Sequence, residues 1–397
     1  VGHACADEAS PLGGGCTAFC LTNGNGHPVV GSNVDFGWEE GLVFVNKRNV
    51  AKIALDLIDD PEQEPARWVS RYGSVTFSHL GREMPTTGGM NEVGLTVVPL
   101  LVGTYTIPPD SRPYVYLDAQ WIQYQLDNCV TIEDVIASDS QVRPAGKGDG
   151  FSECQWHFLT CDSSGDCAIV EFINGQMVYY TGVDLPHRAV ANNPYAQSLS
   201  YLSNFVGFGG TTPIPGPSPL SLSRFVRAAY RLQTYDGSDG IGYAFDTLDY
   251  VKSGTKWSIV YEVQNLRIHF RTLSNPQIRQ IDLSFFDFSC DTPVKMLDIE
   301  SNLSGDVSSE FIDYSDQTNC DLVTLMSTRW AQMYHREPDM EQIDAMCQYP
   351  EESTLCLGAT TGPVPESAVF ALLGVGVMGV GGFLLFRQRR QLKRLNS

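Results

Sequence analysis

The arrangement of apolar and polar positions divides the chain into strand-like and helix-like stretches. Thr17–Thr22, Val29–Asn33, Leu42–Asn46, Ser74–His79 and Leu95–Leu101 mix β-branched and aromatic residues and are punctuated by glycine and asparagine, which predicts strands. Leu117–Leu126 and Ile132–Ala137 read as helices. Thr131 stands where it can cap the second of these, with Asp134 three positions on. Strands follow at 157–161, 167–173 and 177–181, then helices at Gln197–Phe205, Leu222–Thr234 and Gly242–Val251. A last strand group covers Trp257–Val263, Leu266–Thr272 and Ile278–Phe286. This succession predicts an α+β domain in which sheets are layered between helices. No internal repeat is visible.

The pattern changes after residue 299. Residues 300–360 read as a polar extension with one amphipathic helix near Cys320–Tyr334, and 361–367 as a polar, proline-bearing linker. Ala368–Phe386 is an uncharged apolar run long enough to cross a bilayer as a helix. Arg387-Gln-Arg-Arg390 opens a basic tail, 387–397, that favours the cytoplasmic side and so places the rest of the chain outside. The order Val-Pro-Glu, apolar helix, arginine cluster resembles the PEP-CTERM sorting signal of exporting bacteria, with Ser367 where that signal usually has a second proline; a plain membrane anchor is the alternative. At the other end, Gly-His-Ala4 has the small residues of a signal-peptide terminus.

Composition narrows the function classes. Hydrophobic residues make up 43% and charged residues 18%, which fits a packed core. A formal charge of −20 gives nucleic-acid binding no electrostatic support and reads as a solvated acidic surface. Eleven cysteines allow five bridges and one free thiol, or fewer bridges. Cys161 and Cys167 flank a tight turn between two strand-like runs. They are expected to face each other at bridging distance, which export would permit. The seven histidines show no close pairing, so no metal site is expected. No phosphate-binding loop or Gly-x-Ser-x-Gly motif points to a cofactor or a serine nucleophile.

The candidate chemistry lies near the start. Gly13–Gly15 precede Cys16, and a cut after Gly15 would leave a thiol and an α-amine on one residue, nucleophile and base together. Residues 1–15 would then be a leader. Asp35, at the end of the following strand, could hold the amine. The plainer alternatives are a Cys16–Cys20 disulfide, a strand-ending Asp35, a turn at Asn192 and a solvated Arg224.

Cys16-Thr-Ala-Phe, then Gly31-Ser-Asn-Val-Asp35-Phe, Gly89-Met-Asn-Glu-Val-Gly-Leu95, Val190-Ala-Asn-Asn-Pro194 and Ser223-Arg-Phe-Val-Arg227 resemble, in order, the motifs of the choloylglycine hydrolase and penicillin V acylase family. The resemblance implies an N-terminal-nucleophile hydrolase fold, an αββα sandwich, over a catalytic domain at 16–299. It implies hydrolysis of a non-peptide linear amide, a small-molecule N-acyl substrate and no cofactor. By position, Cys16 is nucleophile and base, Asp35 holds its amine, Asn192 donates to the oxyanion, and Arg224 favours the thiolate. The second oxyanion donor is a backbone N–H near Leu101. The departure is Ser32, where the family usually has arginine; Lys47 or Arg48 are candidates to replace that cation. Two other readings stay open, an acyltransferase on the same scaffold and a non-catalytic surface protein. The acyl group and homo-oligomerisation are left open.

Overall fold

A computed structural model describes residues 15–22, 26–58, 60, 62–104, 110–146 and 154–358, and the structural statements that follow concern these. The sequence expectations for the leader before Gly15 and for the apolar run at 368–386 therefore fall outside the described residues. Within them, no helix is long and apolar enough to cross a membrane.

Two large sheets pack face to face. The seven-stranded sheet runs, edge to edge, Ala189–Val190, Thr17–Thr22, Pro28–Val34, Trp257–Glu262, Arg267–Thr272, Arg279–Asp282 and Gly305–Asp306. The nine-stranded sheet runs Gln176–Thr181, Cys167–Ile173, Cys154–Cys161, Thr96–Thr104, Gly89–Asn91, Ser74–Ser78, Leu42–Asn46, Lys295–Asp298 and Ile312–Asp313. Pairing is antiparallel apart from the short edge contact of Arg279–Asp282 with Gly305–Asp306. Alternate residues of each strand point to opposite faces, so each sheet buries two layers. Ala18, Cys20, Val30 and Ile259 share the inner core with Val75, Val98, Leu159 and Ile169 of the other sheet, and Phe77 meets Phe270 edge-on at 5.6 Å.

The helices cover the outer faces. We number them α1 (Leu117–Asn128), α2 (Ile132–Ala137), α3 (Tyr195–Leu202), α4 (Ser221–Thr234), α5 (Gly240–Val251), α6 (Asp316–Met333) and α7 (Met340–Glu352). On α4, Phe225, Val226, Ala228 and Ala229 are buried while Tyr230 and Thr234 are exposed, so one stripe of the helix enters the core. On the other side Trp121 of α1 packs on Phe158 and Phe172. The expected capping box of α2 is present: Thr131 accepts from the Asp134 N–H and Asp134 reaches back to the cap backbone. The result is the layered α+β domain that the pattern predicts, arranged as the αββα sandwich that the family resemblance implies.

Residues 300–358 are more than a polar extension. Besides the expected helix, α7 is present, and both pack into the domain. Leu322, Val323, Met326, Ile343, Met346 and Tyr349 form one buried cluster with Leu42, Phe44, Leu80 and Met84. Thr354–Cys356 adds a strand to Val50–Ile53. The local sequence hid α7 because its exposed face is polar and Pro350 sits in its last turn, where a missing N–H costs one bond.

Cys161 and Cys167 are directly opposed across their hairpin and are bridged, as expected. Cys290–Cys356 and Cys320–Cys347 are two further bridges. Cys16, Cys20 and Cys129 are free thiols, so the pairing of five bridges with a single free thiol does not hold, nor does a Cys16–Cys20 bridge.

Candidate active site

Cys16 stands at the start of the Thr17–Thr22 strand, still joined to Gly15. The register pairs Thr17 with Asn33 and Phe19 with Gly31, which brings Asp35, two residues past Asn33, beside Cys16. This explains the nineteen-residue spacing: a hairpin returns the chain to the same end of the sheet. Gly31 is required here because its missing side chain leaves room for the Phe19 ring.

Asp35 is 5% exposed; its Oδ1 accepts from the Thr255 hydroxyl at 2.5 Å, and its Oδ2 is buried with no hydrogen-bond partner among the described residues. Burial pushes its carboxyl up to about 7, against smaller opposing effects of the Thr255 bond and of Arg224. The Cys16 thiol is pushed up to about 12, first by burial and then by Asp35, while the Asp35 backbone N–H and Arg224 act in the opposite direction. In the uncut chain this thiol is therefore a poor nucleophile.

Arg224 enters from the first turn of α4 and is 1% exposed, not solvated. Its Nη1 donates to the Cys16 carbonyl and to Thr17 Oγ1 at 2.6 Å, its Nη2 to Asn192 Oδ1 at 2.7 Å, and its Nε to the Pro219 carbonyl at 3.0 Å. Asn192 follows the edge strand Ala189–Val190. Its backbone N–H donates to Ser221 Oγ at 2.8 Å and its Nδ2 to the Leu101 carbonyl at 2.6 Å. Because Oδ1 faces the arginine, the amide orientation is fixed with its NH2 toward Leu101.

The structure thus brings Cys16, Asp35, Asn192, Arg224 and Leu101 together from five distant segments. Ser32 lies on the same strand face as Val34 and is 1% exposed. Neither candidate replacement for the lost cation reaches it. Lys47 Nζ donates to the Asp287 carbonyl and Thr292 Oγ1, and Arg48 pairs with Glu92. His79 does not supply a cation either: burial pushes it down to about 4, and its ring is sandwiched between Phe36 at 4.6 Å and Trp257 at 4.1 Å. Thr255 and Ser221 were not singled out in the sequence. Each contacts a catalytic candidate from a loop or helix start far along the chain, and nothing in the local pattern signals it.

Two groups of close-set metal-ligand atoms occur among the described residues, Cys20 with Cys161 and Cys167, and Cys290 with Asp291 and Cys356. Each contains a disulfide, so two of the three sulfurs or oxygens in each are committed to a covalent bond.

Comparison with known proteins places the chain among amide hydrolases. Penicillin V acylase of Pectobacterium atrosepticum is 27% identical, over 57% of this chain and 70% of its own. The solved penicillin V acylase of Agrobacterium tumefaciens superposes with a TM-score of 0.64 at 27% identity, covering 76% of this chain and 98% of that one. A variant of conjugated bile acid hydrolase from Clostridium perfringens shares the fold, with a TM-score of 0.59 at 17% identity, 73% of this chain and 98% of that one. The family model for linear amide C-N hydrolases matches residues 16–296, and the chain belongs to that family, the choloylglycine hydrolases.

Proposed function

We propose that the protein hydrolyses a small N-acyl amide through Cys16 once the Gly15–Cys16 bond has been cut. The observation that carries this reading is the seat of Gly15. A β-carbon built on Gly15 would run into the Asn192 amide and the Arg224 guanidinium, so the residue to be released sits on the groups that would bind a substrate carbonyl. Its removal opens that place and frees an α-amine on the residue that the hairpin sets beside Asp35, whose Oδ2 is buried with no hydrogen-bond partner among the described residues.

The reaction follows from these positions. The α-amine, with an ordinary pKa of about 8, takes the thiol proton, and the thiolate attacks the carbonyl carbon. The oxyanion is met by Asn192 Nδ2–H and by the Leu101 backbone N–H. The ammonium then returns its proton to the leaving amine, and water, activated by the same amine, releases the acid from the thioester. Asp35 holds the amine and answers its charge. Arg224 favours the thiolate alone, since Ser32 brings no second cation. The penicillin V acylases among its relatives make an aromatic or aliphatic acyl group the first class to test. An acyltransferase would share every step but the last, with an acceptor amine in place of water.

The test is N-terminal sequencing together with product analysis on penicillin V, glycine-conjugated bile acids and N-acyl homoserine lactones, with and without an acceptor amine. We expect a mature start at Cys16 and free acid as product. Full activity in a Cys16→Ala variant would overturn the reading. We further propose that the catalytic domain is exported and held to a membrane by residues 368–386. Deleting residues 364–397 should then release an active, soluble protein, and a full-length chain found in the cytosol with all thiols reduced would refute it.

A further inference from the structure

His157 and Glu171 are fully buried on neighbouring strands of the nine-stranded sheet, one residue beyond the directly opposed pair Phe158 and Val170. Both face inward, beneath the segment that carries Asn192. His157 Nδ1 lies 3.0 Å from Glu171 Oε1, and His157 Nε2 lies 2.6 Å from the Ala191 carbonyl oxygen. The same Glu171 Oε1 accepts the Tyr195 N–H at 2.8 Å.

A carbonyl oxygen only accepts, so Nε2 must carry hydrogen. If Nδ1 were bare it would face a carboxylate oxygen, two acceptors in contact; a proton must lie between them as well. The pair therefore shares one hydrogen between Nδ1 and Oε1, on either atom, and keeps a second on Nε2 for the Ala191 carbonyl. Glu171 Oε2 has no hydrogen-bond partner among the described residues, so the contacts of this carboxyl to His157 and Tyr195 run through Oε1. Among the described residues Tyr180 also feels Glu171, and its ring lies tilted on that of Tyr195 at 4.9 Å.

We propose that His157 and Glu171 are positioning residues that hold Asn192 in place for the oxyanion. They grip the chain immediately before Asn192, at the Ala191 carbonyl, and three residues after it, at the Tyr195 N–H. Ser221 and Arg224 fix Asn192 from the α4 side, so the segment is clamped between the two layers of the sandwich. The inference rests on Asn192 being the oxyanion donor. If the pair acts through Asn192, its effect must vanish once that side chain is gone.

The experiment uses the mature enzyme. Glu171→Gln keeps the shape, still accepts one N–H, and removes the carboxyl that shares a hydrogen with His157 Nδ1. We expect its kcat to fall about 10- to 100-fold with KM nearly unchanged, less than the roughly 10²–10³ expected for losing the donor itself. In an Asn192→Ala background the same substitution should cost under about threefold, because coupled residues are non-additive. Nitrogen-15 NMR of histidine-labelled wild-type enzyme should show hydrogen on Nε2 of His157, and Glu171→Asp should restore part of kcat. A bare Nε2 in the wild type, or a Glu171→Gln loss equally large in both backgrounds, overturns the proposal and leaves Asn192 as donor. An Asn192→Ala enzyme with unchanged kcat overturns the oxyanion reading itself.

Discussion

Gly15 has no room for a methyl group, and this makes it the most sharply testable residue in the structure. The β-carbon of an alanine would press on Asn192 and Arg224, which are held by bonds from three elements and have little freedom to yield. Gly15→Ala should slow or abolish release of the leader, seen as an unshifted mass, while Gly15-free protein expressed from Cys16 should be unaffected. Asp35 offers a second test, through pH. Its carboxyl is raised by burial to about 7 in the folded, uncut chain, so between about pH 4 and 7 the folded state binds more protons than the unfolded one. Stability contributed at this site is then present at low pH and lost as pH rises through that window. In a Cys16→Ala chain, which on the proposed reading stays uncut, Asp35→Asn should flatten this part of the Tm profile; an unchanged slope would place the effect elsewhere, with Asp118 another buried carboxyl raised to about 7. The Cys16–Asp35 relation was legible in the sequence because a hairpin register turns a fixed spacing into a contact. The Thr255 hydroxyl on Asp35 and the Ser221 hydroxyl on Asn192 were not, because tertiary packing alone brings them in. Lys47 and Arg48 looked available as cations by nearness in sequence, yet they turn to Asp287 and Glu92.

Three elements meet at one buried charge cluster. Lys52, on Val50–Ile53, lies 2.5 Å from Glu83 and 2.8 Å from Asp127 at the end of α1, with all three side chains inaccessible. Asp127 also accepts from the Trp68 indole at 2.7 Å and from Gln123 at 2.8 Å. The two carboxylates hold the Lys52 ammonium above its ordinary range despite burial. Removing the ammonium leaves them buried against each other. Lys52→Met should therefore cost about 3–5 kcal/mol in urea unfolding, whereas an exposed pair such as Lys295 with Asp313 should contribute under about 1 kcal/mol. A loss below that level for Lys52→Met would mean that one of the carboxylates takes up a proton at little cost. Most helices and long strands could be read from the pattern of apolar residues, as α2 with its capping box shows. Strands of two to four residues, such as Gly89–Asn91 and Lys295–Asp298, could not, since so short a run carries no period and its pairing is decided by neighbours remote in sequence.

Over the whole molecule, the boundary placed at residue 299 does not separate independent parts. Ile299, Val307 and Phe311 belong to the main core, and α6 and α7 cover Leu42, Phe44, Leu80 and Met84. A chain ending at Asp298 should aggregate or unfold at much lower temperature, while one ending at Gly358 should keep the full-length Tm and elute as a discrete species on gel filtration. Composition disguised this, because a segment that is polar on its outer face averages as hydrophilic even when its inner face completes a core. The Cys290–Cys356 bridge bears on how the protein would carry load. It closes a loop of 66 residues that contains both α6 and α7, and Cys356 lies on a strand hydrogen-bonded to Val50–Ile53. A pull on the chain beyond Gly358 enters at Cys356 and passes through the covalent link to Cys290, next to the sheets. The two helices lie off the line of tension. In a single-molecule stretching experiment from the C-terminal end, the oxidised protein should therefore yield without a prior helix-release step, and reduction should make that step appear.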